Sequence, residues 1–182
     1  MTFRCNSLIF KLKCGKVGNS GEPNPHEFPP LLVKAMSSFK GRYLYNVDAK
    51  GRLAIPAKLR KSMSSKRDVV LTRGLEKCLY LYPPEEWKKV ESYIRSLSFM
   101  DARHRFFGRT LFEWAIDAEL DTQSRISISQ DLLKYADISS EALILGVVDR
   151  IEIWAPTVYD EYQKLQPDTY ETVVERVFKQ TP

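Results

Sequence analysis

The chain has 182 residues, with 43% hydrophobic and 28% charged side chains, which describes one ordinary globular domain or two small ones. No run approaches the 18 or more apolar residues of a membrane span. The three cysteines (Cys5, Cys14, Cys78) are scattered and the two histidines lie elsewhere, so neither a disulfide framework nor a zinc site is expected; a reducing cytoplasm is. The net charge of +5 is unevenly spread: +3 over residues 1–35, +7 over 36–94 and −5 over 95–182. A basic half joined to an acidic half points to a polyanion partner for the first.

Residues 1–35 read as a tail broken by glycines and prolines, with no lasting periodicity. Leu8-Ile9-Phe10 is too short for the apolar core of a signal peptide. Organisation begins after Met36, the expected true start, and the preceding segment is expected to be disordered. Tyr43, Tyr45 and Val47 then alternate as a strand. Asp48-Ala-Lys-Gly-Arg52 interrupts it as a turn: Asp48 can accept backbone N–H bonds and Gly51 can take positive φ. Arg52 can pair with Asp48 or project its planar fork outward. Leu53 and Ile55 resume the alternation, and Pro56 opens a short helix expected to reach Met63. Strands follow at Val69–Thr72 and Leu79–Tyr82. Pro83-Pro84 starts a helix whose Trp87, Val90, Ile94 and Leu97 form a buried face.

Across residues 98–113, Arg103, Arg105 and Arg109 interleave with Phe106, Phe107, Leu111 and Phe112. A helix with phenylalanines inward and arginines outward explains this better than a nucleic-acid platform. His104 has no partner in sequence and is expected at the surface.

The pattern then returns. Asp121-Thr-Gln-Ser-Arg125 lies 73 residues after the first turn, and Leu53, Ile55 and Leu59 meet Ile126, Ile128 and Leu132 at that offset. With one residue deleted, Leu79–Tyr82 meets Ile151–Trp154, Pro84 meets Pro156, and Trp87 meets Tyr159. Each unit is strand, Asp-x-x-x-Arg turn, strand, short helix, two strands, Pro, helix. After the second unit, Tyr170, Val173, Val174, Val177 and Phe178 share one helical face, and Asp168 with Glu171 has capping-box spacing. This gives a division into residues 1–35 (extension), 43–88 (first repeat), 89–114 (helical connector), 115–159 (second repeat) and 160–182 (C-terminal helix).

One unit is too small to bury a core alone. Two in tandem can interlock their hairpins about a pseudo-two-fold axis and close one β-barrel, so the expected fold is α+β, mainly β with short helices.

The motifs Phe39–Tyr43, Asp48–Pro56, Leu71–Leu75, Cys78–Pro83, Glu86-Trp87, Arg103–Phe107, Asp121–Ser129 and Glu152–Trp154 together resemble the MraZ family of bacterial regulators. That family is built from two SpoVT/AbrB-like repeats, and the resemblance implies a swapped-hairpin (double-split) β-barrel. The resemblance spans about residues 36–160 and implies double-stranded DNA binding at repeated promoter sites of the cell-division and cell-wall gene cluster. It also implies a homo-oligomeric ring in the cytoplasm, associated with the nucleoid. One departure stands out: the family usually has Gly before the second Arg, where this chain has Ser124, so the second turn is expected to differ.

Comparing the repeats assigns roles. Lys50, Lys58 and Arg60 correspond to Gln123, Asp131 and Leu133, so the second repeat lacks the cations of the first. Arg52 is the expected principal DNA contact, forking onto a guanine edge or a phosphate. Lys50, Lys58, Arg60 and Arg42 are expected to attract phosphates. Asp48 and Gly51 shape the first turn, and Asp121 with Arg125 holds the second. No Gly-rich phosphate loop, His–carboxylate set or nucleophile motif suggests an enzyme, and no cofactor or metal is expected. The alternative is a protein-interaction scaffold or antitoxin-like module.

Overall fold

The computed structural model describes residues 38–180, apart from Ser64 and Lys66. The expectations for residues 1–35, including the start at Met36, lie outside the described residues. The elements are β1 (Phe39–Asn46), β2 (Arg52–Ala54), α1 (Ala57–Arg60), β3 (Asp68–Arg73), β4 (Leu79–Tyr82), α2 (Pro84–Ser96), α3 (Ala102–Glu113), β5 (Ile116–Glu119), β6 (Arg125–Ser127), α4 (Gln130–Tyr135), β7 (Glu141–Val148), β8 (Arg150–Trp154), α5 (Pro156–Lys164) and α6 (Tyr170–Gln180). The fold is α+β, mainly sheet with several helices.

The strands form an antiparallel six-stranded sheet, ordered β1-β7-β8-β4-β3-β5, and a separate β2–β6 ribbon. Exchanging each strand for its counterpart in the other repeat reverses this order onto itself. The registers carry the same symmetry. Leu53 faces Ile126 in the ribbon, and Tyr80 faces Glu152 at the centre of the sheet. Both are pairs of equivalent residues, so the pseudo-two-fold axis passes between them. The first strand of each repeat pairs with the other repeat: β1 with β7, and β5 with β3. Each repeat keeps one hairpin of its own, β3–β4 or β7–β8, and completes its sheet with the first strand of the other repeat, which fits their small size. The hydrogen-bonded ladder is open, with β1 and β5 at its edges, and no closed barrel is found.

Period-two alternation sends side chains to two cores. One face of the sheet joins the underside of the ribbon, where Leu53, Ile55, Ile126, Ile128, Leu71 and Ile144 are buried. The other face carries Val70, Tyr82, Leu143 and Trp154 beneath the helices, with Trp87 of α2 packed onto it. Each such side chain contributes about 1.5–3 kcal/mol through removal from water. Cys78 belongs to this second core, where burial pushes its thiol pKa far up and keeps it neutral.

The helices follow their end signals. Pro84 and Pro156 occupy first-turn positions in α2 and α5. The helix expected from Pro56 to Met63 is a single turn, Ala57–Arg60, since Pro56 can fix its own φ but offers no side-chain cap. Its counterpart α4 is longer, and there the Ser129 hydroxyl accepts from the Leu132 N–H. Ahead of α6, Thr169 rather than Asp168 accepts a first-turn N–H, from Thr172; Asp168 instead receives both terminal nitrogens of Arg176.

The α3 expectation is half right. Its three arginines are exposed and Phe107 is half-buried, but Phe106 is 70% exposed. A helical apolar stripe requires a cover and does not say that the chain itself provides it. His104 is half-buried, with Nδ1 3.1 Å from the Ser98 carbonyl oxygen.

Candidate nucleic-acid interface

The two Asp-x-x-x-Arg turns fold alike. In the first, the Asp48 N–H donates to the Arg52 carbonyl (3.0 Å), and the Gly51 N–H donates to the Asp48 carbonyl (2.8 Å). Asp48 Oδ1 accepts from the N–H groups of Lys50 (2.9 Å) and Arg52 (3.0 Å). In the second, Asp121 Oδ1 accepts from Gln123 and Arg125, both at 2.9 Å. Both carboxyls are held below the ordinary carboxylate value, first by the backbone N–H of the arginine four residues on.

The expectation that Ser124 would change the second turn is overturned. Gly51 has φ of 73° and Ser124 has φ of 61°, so the serine adopts the left-handed conformation that glycine takes at no steric cost. The pairing of the turns explains why: the Ile55 N–H donates to the Ser124 carbonyl and the Ile128 N–H to the Gly51 carbonyl, fixing both backbones from outside. A Cβ at Gly51 would lie 2.8 Å from the Ile128 carbonyl oxygen, so a side chain there requires a backbone shift.

The ribbon has two faces. Leu53 and Ile126 point into the core, while Arg52, Ala54, Arg125 and Ser127 alternate onto the opposite face. Arg52 lies opposite Ser127, and Arg125 lies opposite Ala54, so the two arginines are diagonal neighbours with Cα atoms roughly 7–8 Å apart.

Their partners differ. Arg52 donates from Nε to Asp48 Oδ2 at 2.7 Å. Arg125 donates from Nε to Asp121 Oδ2 at 2.8 Å, places Nη2 2.7 Å from the same carboxylate, and brings Nη1 to 3.8 Å from Asp48 Oδ2. Arg125 thus reaches the carboxylates of both turns, whereas Arg52 pairs with that of its own turn. Among the described residues no second carboxylate lies within ion-pair distance of Arg52. The link from Arg125 to Asp48 was not foreseen from sequence; it depends on β2 and β6 pairing antiparallel.

The other cations are spread out. The Lys50 side chain is exposed at the turn tip, and Lys58 is exposed on α1. Arg60 folds back so that Nε donates to the Ile55 carbonyl at 3.0 Å. Arg42 lies elsewhere, 3.9 Å from Asp160 and over the Tyr159 ring, with α5. It is five residues from Val47, the bridge partner of Leu53, or about 17 Å along an extended strand. The structure therefore gathers Asp48, Lys50, Arg52, Asp121 and Arg125 around the ribbon, with Lys58 and Arg60 on the helix that follows it, and leaves Arg42 apart. No described helix is long and apolar enough to cross a membrane.

Fold and site define a tandem-repeat α+β protein whose exchanged strands present a cationic β-ribbon. The chain belongs to the MraZ family. The family profile, described as "MraZ protein, putative antitoxin-like", matches twice, over residues 38–110 and 111–180. A "Transcriptional regulator MraZ" of Desulfitobacterium hafniense (strain Y51) is 37% identical over 137 residues, covering 75% of this chain and 94% of the relative. A protein of the same name from Lactobacillus delbrueckii subsp. bulgaricus (strain ATCC BAA-365 / Lb-18) is 42% identical over 137 residues, with the same coverage.

Proposed function

We propose that this chain is a DNA-binding transcriptional regulator that meets double-stranded DNA with its β2–β6 ribbon. The observation that carries this reading is the difference between the two ribbon arginines. Arg125 pairs with Asp121 and also reaches Asp48, while Arg52 is aimed by its Nε bond to Asp48 and meets no second carboxylate among the described residues. The B-DNA major groove admits a two-stranded ribbon, and a guanidinium can take both acceptors of a guanine edge there.

In this reading Lys50 and Lys58 contact phosphates, Arg60 adds positive potential from α1, and Arg42 acts at most at a distance from the ribbon. Asp48 and Gly51 set the direction of Arg52. Asp121 and Arg125 hold the frame. The ribbon closes the open end of the sheet as a double-split barrel. The targets are repeated promoter sites of the cell-division and cell-wall gene cluster, in the cytoplasm at the nucleoid. Several copies in a homo-oligomeric ring would read those repeats together, gaining affinity through effective concentration.

Titration with promoter DNA over a range of salt tests the reading. Phosphate contacts make log K fall linearly with log salt, with a slope of about 0.9 per phosphate neutralised. Binding that is insensitive to salt would overturn it and favour a protein-interaction or antitoxin-like role.

A further inference from the structure

The six-stranded sheet ends in two edges, β1 and β5, which are counterparts in the two repeats. An edge strand presents unpaired N–H and carbonyl groups, ready to pair with another chain. The two edges differ in chemistry: β1 carries Lys40 and Arg42, whereas β5 carries Asp117 and Glu119. Ile116, Asp117 and Glu119 are all exposed. Charges on an edge guard it against like strands, and acidic ones still admit a cationic strand.

The ladder fixes which backbone groups β5 turns outward. The Leu120 N–H donates to the Arg67 carbonyl at 2.9 Å, so residues 67 and 120 form a hydrogen-bonded pair. Alternation along the antiparallel register then turns the backbone groups of Ala118 and Ile116 toward β3, opposite Val69 and Leu71. The N–H and carbonyl groups of Asp117 and Glu119 therefore point away from the sheet. Their side chains lie on the helix side with Val70, while Ala118 packs against the core beneath the ribbon.

Both faces beside this edge are hollowed. On the helix side a cleft of about 600 Å³ is lined by Val70, Trp87 and Phe112. On the ribbon side a smaller one, of about 270 Å³, lies between Trp114, Ile116 and Leu132. Together they carry Asp68, Glu91, Asp117, Glu119, Glu113 and Asp131 against Lys88. Arg67 pairs with Glu119 at 3.4 Å, Asp68 accepts from the Ser65 hydroxyl, and Glu91 accepts from the Trp87 indole. Glu113, Asp117 and Asp131 have no basic partner among the described residues.

We propose that β5 is a docking edge for an extended cationic segment of a partner protein, which joins the sheet as an added antiparallel strand. Its backbone bonds to Asp117 and Glu119, and its alternate side chains enter the two clefts. The larger cleft suits Lys or Arg: the aliphatic stem covers Trp87 and Phe112 while the charged head reaches the carboxylates. The smaller cleft suits an apolar residue against Trp114, Ile116 and Leu132. Successive residues of a strand point to opposite faces, so one segment of alternating cationic and apolar residues fills both. The β1 edge repels such a segment through Lys40 and Arg42. The site uses no residue of the β2–β6 ribbon, so it stands whether or not the ribbon binds DNA.

The test uses the full-length chain and a fluorescein-labelled Lys-Val-Lys-Val-Lys-Val-Lys peptide, with binding read by fluorescence anisotropy. In an antiparallel pair, residues that exchange backbone bonds share a face, so the lysine amides are the ones that meet Asp117 and Glu119. The peptide is expected to bind, to keep its affinity when its valine amides are N-methylated, and to lose it when its lysine amides are. Asp117→Lys, folded by circular dichroism, is expected to weaken binding about tenfold or more by placing like charges together. No binding by wild type, or any other pattern of methylation effects, would overturn strand addition; the methylated peptides need no variant and decide the matter even if Asp117→Lys fails to fold. Unchanged affinity in folded Asp117→Lys would overturn the placement at β5. A fall in assembly mass in that variant, read by light scattering, would assign the edge to a second copy and overturn the partner reading.

Discussion

The two turns of this molecule share a backbone and differ in what their side chains are left to do. Both use an Asp to collect the N–H groups that follow it, both pass through a left-handed residue, and both end on an Arg. The second Arg is consumed by the protein, linking its own Asp to that of the other turn. The first is only aimed. The lesson is that a duplicated motif can divide its labour without changing its fold: one copy stabilises the geometry that the other presents.

Changes at the left-handed positions should separate the turns most. Gly51→Ala adds a Cβ both at positive φ and 2.8 Å from the Ile128 carbonyl oxygen. It is expected to lower stability by about 2–4 kcal/mol in urea unfolding, combining left-handed strain with a contact that only a backbone shift relieves. Ser124→Gly should act oppositely, raising stability by up to about 1 kcal/mol as strain is removed, offset partly by added unfolded-state entropy. A loss at Ser124→Gly comparable to that at Gly51→Ala would break the comparison.

The caps should differ by less. Ser129→Ala removes the cap of α4 and is expected to lower stability by about 0.5–1 kcal/mol. Pro56→Ala in the first repeat removes no cap bond and acts only by loosening the chain.

The smallest effect is the charge of the turns. The folded carboxyls of Asp48 and Asp121 lie below the ordinary value of 3.8, so each favours the folded state when ionised. That contribution is complete above about pH 4 and is lost as pH falls toward the lowered folded value. Stability measured against pH should decline in that acid window, and less so in the Asp48→Asn, Asp121→Asn double variant. An equal decline in the double variant would place the acid sensitivity elsewhere.

Much of this was legible in sequence because the repeat is legible. A constant offset of 73 residues carried Asp48, Arg52, Leu53 and Ile55 onto Asp121, Arg125, Ile126 and Ile128, and from it came the α+β class and the pseudo-two-fold axis. The missing Gly at Ser124 does not carry a changed turn, because hydrogen bonds from the Ile55 N–H to the Ser124 carbonyl and from the Ser124 N–H to the Asp121 carbonyl hold the same φ without it. Arg42 looked like one more cation near the motif, since charge counting ignores the strand rise that carries it away to α5. Phe106 looked like core because periodicity identifies a face and not its cover.

The central claim is the division between the two arginines, and a paired titration tests it most directly. Arg52→Ala and Arg125→Ala would be measured on the same promoter DNA at one salt concentration, beside their urea midpoints. The account predicts that Arg52→Ala lowers affinity by roughly 5- to 150-fold, the scale of 1–3 kcal/mol for a good base contact, with little change in stability. Arg125→Ala should chiefly lower stability. Unchanged affinity in folded Arg52→Ala, or a larger binding loss in an equally stable Arg125→Ala, would contradict it.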